Sequence, residues 1–185
     1  MKNKWARLIA TLPVLLILAL SITAWAARES ADLNRKCSLT VKAGGFDDLK
    51  NADVVIDLYR IADAKAEDGS DTYAYTVTDP AYKPLESSLK DFGSLKNADN
   101  RALAQKAADI VLNQGLSLEK AAESPAGSKI TDLESGLYLL IARGNDIDDY
   151  ITVNGSGEII TIADTQAYTY SYLPELISLP ASTAE

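Results

Sequence analysis

The stretch of sequence that most constrains the fold is a short apolar run bounded by glycines. From Gly136 to Gly144 the chain reads Gly-Leu-Tyr-Leu-Leu-Ile-Ala-Arg-Gly, which has the length of a strand and is almost continuously apolar. Such a run between turn residues is typical of a strand that is buried on both faces, and it is too short for a core helix. We therefore predict that residues 135–144 form the central strand of a β-rich domain.

Other segments carry strand signals on both sides of this run. Residues 37–43 alternate between apolar and polar side chains, and residues 54–62 are rich in β-branched and aromatic types. Asp57 and Arg60 interrupt the second segment, so we expect them at the ends of its buried portion, before a charged turn at residues 63–70. Further strands are predicted at residues 72–78, 150–153, 158–163, 167–172 and 176–179. An Asn-Gly dipeptide between the second and third of these indicates a hairpin.

One helix is predicted, over residues 98–114, with Asp99 or Asn100 as its N-cap and Gly115 as its end. Its apolar stripe consists of Leu103, Ala107, Ile110 and Val111. Residues 117–123 are expected to add a helical turn. Seven or more short strands with turn signals between them, together with one inserted helix, predict a mostly β fold, an immunoglobulin-like β-sandwich.

The N-terminal segment has the composition of a secretory signal. Residues 1–26 combine a basic start, an apolar core and a final Ala-Trp-Ala, which is typical of a cleavage site. The alternative is an uncleaved signal anchor, since residues 8–27 carry no charge and reach membrane-spanning length. Either interpretation predicts a secreted or cell-surface protein, with a linker at residues 27–36, the β domain at residues 37–180 and a tail at residues 181–185, native or truncated before a final strand.

Charge and composition exclude several classes of function. Without the three basic residues of the predicted signal, the 18 basic residues fall to 15 against 26 acidic ones, a net charge of −11. This charge argues against nucleic acid and against anionic lipid as partners, so we expect membrane contact only through the N-terminal segment. The chain has no histidine, which removes histidine-dependent nucleophilic catalysis, and its one cysteine, Cys37, excludes an internal disulfide. We expect no enzyme activity and no cofactor.

Two groups of side chains are candidate binding sites. Asp146, Asp148 and Asp149 crowd one loop and offer hard oxygens for calcium, but their spacing matches no standard calcium loop, so no metal is expected. Five tyrosines at alternating strand positions would stack on sugars if exposed, although such tyrosines usually serve as half-buried packing. They are Tyr73, Tyr75, Tyr168, Tyr170 and Tyr172.

Several segments taken together resemble a known family. In chain order they are Ser-Leu-Thr-Val at residues 38–41, Val-Ile-Asp-Leu-Tyr-Arg-Ile-Ala-Asp at 55–63, Ser-Gly-Leu-Tyr-Leu at 135–139, Tyr-Thr-Tyr at 168–170, and Pro-Glu-Leu-Ile-Ser-Leu-Pro at 174–180. This order is similar to that of the prealbumin-like (transthyretin-like, Cna-B-related) domain of Gram-positive pilins and surface adhesins.

The resemblance implies a prealbumin-like β-sandwich and a non-enzymatic role as an extracellular module of a pilus or cell-surface adhesin of a Gram-positive bacterium. Its implied partners are other surface or pilus subunits, and host glycans or proteins. The alternative is a stand-alone secreted domain that binds carbohydrate or protein, whose ligand the sequence leaves unknown.

The resemblance also implies an intramolecular isopeptide bond, which this sequence does not favour. In the family a first-strand lysine bonds to a last-strand asparagine, and a buried carboxyl group catalyses the step. Lys42 occupies a first-strand position, but Ala142 stands where the acid is expected and residues 168–179 contain no asparagine. We therefore predict no isopeptide bond. Asp57 is an alternative acid beside Lys42, against the competing interpretation of a surface aspartate at the end of a strand.

Overall fold

The computed structural model describes residues 32–42, 53–66, 73–114, 117–144, 152–164 and 169–180. The chain divides into two compact units, Met1–Asp32 and Leu33–Glu185, and all elements described below belong to the second. The predicted signal at residues 1–26 and the predicted tail at residues 181–185 lie outside the described residues. Across the described part, no helix is both long enough and apolar enough to cross a membrane.

The described elements are mostly strands. The strands are β1 (Cys37–Thr40), β2 (Val55–Ala66), β3 (Tyr73–Val77), β4 (Ala122–Pro125), β5 (Lys129–Leu133), β6 (Gly136–Arg143), β7 (Thr152–Val153), β8 (Ile159–Asp164), β9 (Thr169–Tyr172) and β10 (Glu175–Leu179). The helices are α1 (Glu86–Leu89) and α2 (Asn97–Asn113), with 3-10 turns at Pro80–Leu85 and Phe92–Ser94. The mostly β composition predicted from the sequence is confirmed.

The central sheet is antiparallel and is built around β6. Strand β6 pairs with β10 on one side and with the long strand β2 on the other. On the far side of β2, β4 pairs with its first residues and β3 with its last, so these two strands follow one another along the same edge. All eight residues of β6 are buried, which confirms the prediction of a central strand.

The central sheet is curled. Its pairing register shifts between Arg60 and Ala62, and such a bulge increases the local twist of a strand. The Tyr75 hydroxyl of β3 lies 2.7 Å from the Ser178 hydroxyl of β10, although β2 and β6 separate these two strands. The sheet therefore curves over one face, and the side chains of its two edges meet there.

Each face of the central sheet is covered by a different kind of structure. On the concave face, α2 and the turns before it enclose what we call the helix-side core, which includes Tyr59, Ile61, Tyr82, Leu85, Leu89, Leu103, Ala107, Val111, Leu137, Leu139 and Ile141. On the other face, the antiparallel pair β1–β5 covers the strand-side core, which includes Ile56, Leu58, Ile130, Leu133, Tyr138, Leu140 and Leu179. Side chains of β6 alternate between these cores, which explains why its sequence is apolar at nearly every position.

A third sheet consists of β7, β8 and β9, and its strands β8 and β9 contact β6. Strands β7 and β8 form the predicted hairpin, and Asn154 stabilises its turn by accepting hydrogen bonds from the backbone of Ser156 and Glu158. Gln105 of α2 bonds the backbone of Ile159 in both directions, at 2.7 and 2.9 Å. Tyr172 of β9 packs against the strand-side core, so this sheet contacts both cores.

Several predicted boundaries were wrong. The charged turn expected from residue 63 begins later, because β2 continues to Ala66. Helix α2 begins at Asn97 after Lys96, and neither Asp99 nor Asn100 caps it. The helical turn expected over residues 117–123 is absent from that described stretch, since it leads into β4. There, pairing with β2 outweighs the local helical signal, because strand pairing is decided by distant partners.

Candidate functional site

The most distinctive polar feature is a cluster of four charged side chains on the concave face of the central sheet. Asp57 lies on β2, Glu123 is its direct partner on β4, and Arg143 ends β6. Lys120 lies just before β4. We call these four residues the charge cluster. It contains two acids and two bases, so its formal charges cancel.

Asp57 is the centre of the charge cluster and is fully buried. Arg143 Nε donates to one carboxylate oxygen at 2.7 Å and Arg143 Nη2 approaches the other at 3.4 Å. Lys120 Nζ donates to that second oxygen at 3.0 Å. Glu123 accepts from Lys120 and lies 3.4 Å from Arg143 Nη2. Each charge of the cluster therefore faces an opposite charge.

This arrangement places the Lys120 ammonium group between two carboxylates. Burial by itself lowers the pKa of Lys120, but its hydrogen bonds to Glu123 and Asp57 outweigh burial and raise that pKa above 10.5. A nucleophilic lysine must be neutral, and a carboxyl group attacked by an amine must be protonated to lose water. The charge cluster keeps Lys120 charged and pairs Asp57 with two cations, which is the arrangement of an ion-pair network.

The structure places the two predicted isopeptide candidates apart. Lys42 is exposed just after β1, which covers the strand-side core. Asp57 points to the concave face, because its neighbours Ile56 and Leu58 point to the strand-side core. The two side chains thus lie on opposite faces of the central sheet. Among the described pairings, β1 contacts β5 and β10 contacts β6, so the first and last strands are not neighbours.

The expected positions of Asp57 and Arg60 within β2 were wrong. Asp57 is fully buried among apolar neighbours rather than at the end of the buried portion, and Arg60 is half-buried at the bulge. Arg60 Nη2 donates to the Ser135 carbonyl at 2.8 Å and lies 3.0 Å from Asp63. Both charged residues interrupt the apolar pattern of β2 because each has a specific ionic partner.

Sequence reasoning missed the partners of Asp57. Lys120 and Glu123 lay in a stretch predicted as a helical turn, and Arg143 was counted only as the end of the apolar run. One signal was present in the sequence. Asp57 is a charge near the start of the apolar part of β2, and Arg143 is the one charge of β6, so two residues of opposite sign on paired strands would be expected to meet.

A cavity of about 300 Å³ opens beside the charge cluster. Its lining includes Thr78, Asp79, Tyr82, Leu118 and Lys120. Tyr82 is only 2% exposed and its hydroxyl has no hydrogen-bond partner. Burial and the neighbouring Tyr59 and Asp79 raise the pKa of Tyr82, so the hydroxyl stays protonated. The hydroxyl atom itself is closed off from solvent, so only other atoms of the lining are open to a ligand in the cavity.

The tyrosines weighed as sugar-stacking residues are largely packing residues where the structure describes them. Tyr75 meets Phe92 edge to face with ring centres 5.4 Å apart, and it meets Tyr73 in the same way at 6.5 Å. Tyr172 packs against the strand-side core and Tyr170 is half-buried. Tyr168 lies outside the described residues.

The acidic loop proposed for calcium, with Asp146, Asp148 and Asp149, also lies outside the described residues. Within the described ranges, no group of three or more histidine, cysteine, aspartate or glutamate side chains is placed to hold a metal ion. Cys37 is a free thiol at the start of β1, partly packed against the strand-side core.

Comparison with known proteins gives no family for this chain. No protein-family model matches it, and a search of curated proteins finds no match.

Proposed function

We propose that this chain is a non-enzymatic extracellular module of a pilus or cell-surface adhesin of a Gram-positive bacterium, with a prealbumin-like β-sandwich as its fold. The observation that carries the proposal is the charge cluster. Among the described residues, the fully buried carboxylate of Asp57 lies between two cations that join β2, β6 and the segment just before β4. The charged groups of this part of the concave face thereby hold strands together.

Two further features support a structural role. The central sheet is covered on both faces, which gives it two apolar cores without any disulfide. The predicted signal at residues 1–26 would bring the domain to an oxidising compartment, where a disulfide-free chain needs other stabilising contacts. The resemblance of residues 38–180 to pilin and adhesin domains supplies the class of assembly.

The first test is the location and mass of the full chain in a Gram-positive host. We expect cell-surface labelling on intact cells, and an intact denatured mass that shows no loss of water or ammonia, because Lys120 and Asp57 remain an ion pair. A chain found only in the cytoplasm would overturn the proposed location. A mass lower by one water, with peptide mapping that assigns the cross-link to Lys120 and Asp57, would show that these two residues had formed an amide, and the interpretation of the cluster would fail.

The second candidate is a stand-alone domain that binds carbohydrate or protein, and the cavity next to Tyr82 is the observation that favours it. A glycan array probed with the full chain and with Glu119→Ala tests this candidate. If the cavity binds a ligand, the variant should lose signal while its unfolding free energy stays nearly equal, because Glu119 is an exposed polar residue of the cavity lining. Glu175→Ala, at an exposed glutamate of β10, is the matched control, and equal binding by all three proteins would exclude the cavity.

A further inference from the structure

The chain enters and leaves the folded unit at the same end. At the entry, the Leu33 carbonyl accepts a hydrogen bond of 2.7 Å from the Ser135 hydroxyl. Next along the chain, Lys36 forms an ion pair with Glu134. At the exit, Leu179 is the register partner of Gly136. Both points therefore lie at the turn between β5 and β6, which we call the Gly136 end.

The directions of the first and last strands follow from this placement. Strand β1 starts opposite Leu133 and runs away from the Gly136 end until Thr40 lies opposite Lys129. Strand β10 starts opposite Leu140 and runs back until it reaches Gly136. Each of them pairs with only one strand among those described, and they do not pair with each other.

This topology determines how a pull on the chain ends would act. A force between residues 33 and 180 would act on the first ladder pair of β1 and on the last ladder pair of β10. Each strand would then be peeled from its partner one pair at a time, because no force would act along the full ladder. A strand in a load-bearing link is instead pulled along its length, so that all its hydrogen bonds resist together.

We propose that this domain is a pendant unit, attached at its Gly136 end, and not a link through which tension passes. This inference rests on the proposed function for the existence of an assembly. The placement of both chain ends follows from the pairing of β1 and β10 alone. The opposite end of β6 holds the charge cluster and the Pro125–Lys129 turn between β4 and β5. A pull on the chain ends does not load that end directly.

Single-molecule force spectroscopy on the full chain tests the inference, with handles on introduced cysteines in a Cys37→Ser background. The first protein carries Arg35→Cys and Ala181→Cys, which attach the handles just before β1 and directly after Pro180 in the sequence, so that the described strands are pulled from the Gly136 end. The second carries Ser128→Cys and Ala181→Cys, so that the pull runs along β10. Position 35 and position 128 are both exposed, and thermal melting of both proteins checks that they are folded to the same extent.

We expect the first pair of handles to unfold the domain at a several-fold lower force than the second pair at the same loading rate, since forced unfolding is governed by the unfolding rate along the pulled direction. Equal forces, or a higher force for the first pair, would overturn the inference. The result is independent of cellular location. If the first pair of handles gives the lower force but the localisation test finds the chain inside the cell, only the proposed function is overturned. If the chain is at the cell surface but the first pair gives an equal or higher force, only the pendant geometry is overturned.

Discussion

The two ends of the central strand β6 are held by different interactions. At its last residue, Arg143 is buried and pairs with the fully buried Asp57. At its first residue, Gly136 is buried directly against the backbone of β2, and the nearby ion pair of Lys36 with Glu134 is about half exposed at both side chains. The Arg143 end is therefore stabilised by opposite charges that are buried away from solvent. The Gly136 end is stabilised by close packing, with a solvent-exposed ion pair beside it.

The comparison shows that the environment decides what an ion pair contributes. A carboxylate without water loses its solvation, so removal of one partner leaves the others uncompensated. A carboxylate in water keeps its solvation whether or not a lysine is near, and exposed pairs contribute little. We therefore expect substitution of a charged residue to lower the unfolding free energy strongly at the Arg143 end and weakly at the Gly136 end. At the Gly136 end, a methyl group added to Gly136 should have a larger effect than the loss of a charge.

The largest effect is expected from Asp57→Asn at the Arg143 end. The substitution keeps the shape of the side chain but leaves Arg143 and Lys120 with one carboxylate, Glu123, which is largely exposed. Breaking a buried ion pair from one side costs about 3–5 kcal/mol. Urea unfolding should show this loss as a lower midpoint with an unchanged slope.

The matched control is Asp63→Asn, on the same strand β2. Its carboxylate is half exposed and pairs with Arg60 at 3.0 Å. The expected change in unfolding free energy is below about 1 kcal/mol. If both variants lose equal stability, the distinction between the two environments is wrong.

A smaller effect is expected from Gly136→Ala, which tests the packing at the other end of β6. An added Cβ would lie 2.5 Å from the Ala62 carbonyl oxygen, so the backbone of β2 or β6 must shift. Overpacking of this kind costs about 1–3 kcal/mol. Gly155→Ala in the β7–β8 turn is the control, because nothing lies within 4 Å of its Cβ position. Equal melting temperatures of the two variants would contradict the close approach.

Lys120→Met should cost about 1 kcal/mol at neutral pH, less than a fully buried pair because the lysine side chain is 24% exposed. The pKa of Lys120 is raised in the folded state, so its contribution is complete below 10.5 and is lost as the pH rises through the folded value. The stability difference between wild type and variant should therefore shrink above pH 10.5. Lys129→Met, at an exposed lysine of β5, should show no such convergence.

The smallest effect is expected from Glu134→Gln. The hydrogen bond from Lys36 lowers the pKa of Glu134 below 4.5, so any stabilisation is present above that value and is lost as the pH falls through the lower folded value. Thermal melting at low salt should show a slight decrease for the variant, and high salt should remove it. Glu175→Gln on β10 is the control, and a salt-resistant loss in Glu134→Gln alone would show that the pair is not solvated.

The comparison of the two ends also shows what could be predicted. The apolar run that became β6 was recognised because a strand covered on both faces needs apolar residues at nearly every position. Helix α2 was recognised from its stripe of Leu103, Ala107 and Val111, all of which are buried. Both signals are local, since they depend on the periodicity of neighbouring residues.

The charge cluster could not be predicted in the same way. Asp57 is 63 residues from Lys120 and 86 residues from Arg143, so no local pattern joins them. An aspartate in an apolar strand looks like a strand end until its partners are known, because burial of a charge is favourable only where opposite charges meet it. Leu33 is likewise 102 residues from Ser135, and Leu179 is also far from Gly136 in the sequence; these two contacts together place both chain ends at one end of the sheet.

The sequence by itself determined the mostly β character, the central strand, helix α2 and the hairpin at Asn154, because each depends on side-chain periodicity or on local turn chemistry. Only the tertiary structure decided which strands became neighbours, which charges were buried together and where the chain ends emerged. Pairing register and the desolvation of charges depend on residues that are distant in sequence and adjacent in space, so these features arise when the strands assemble.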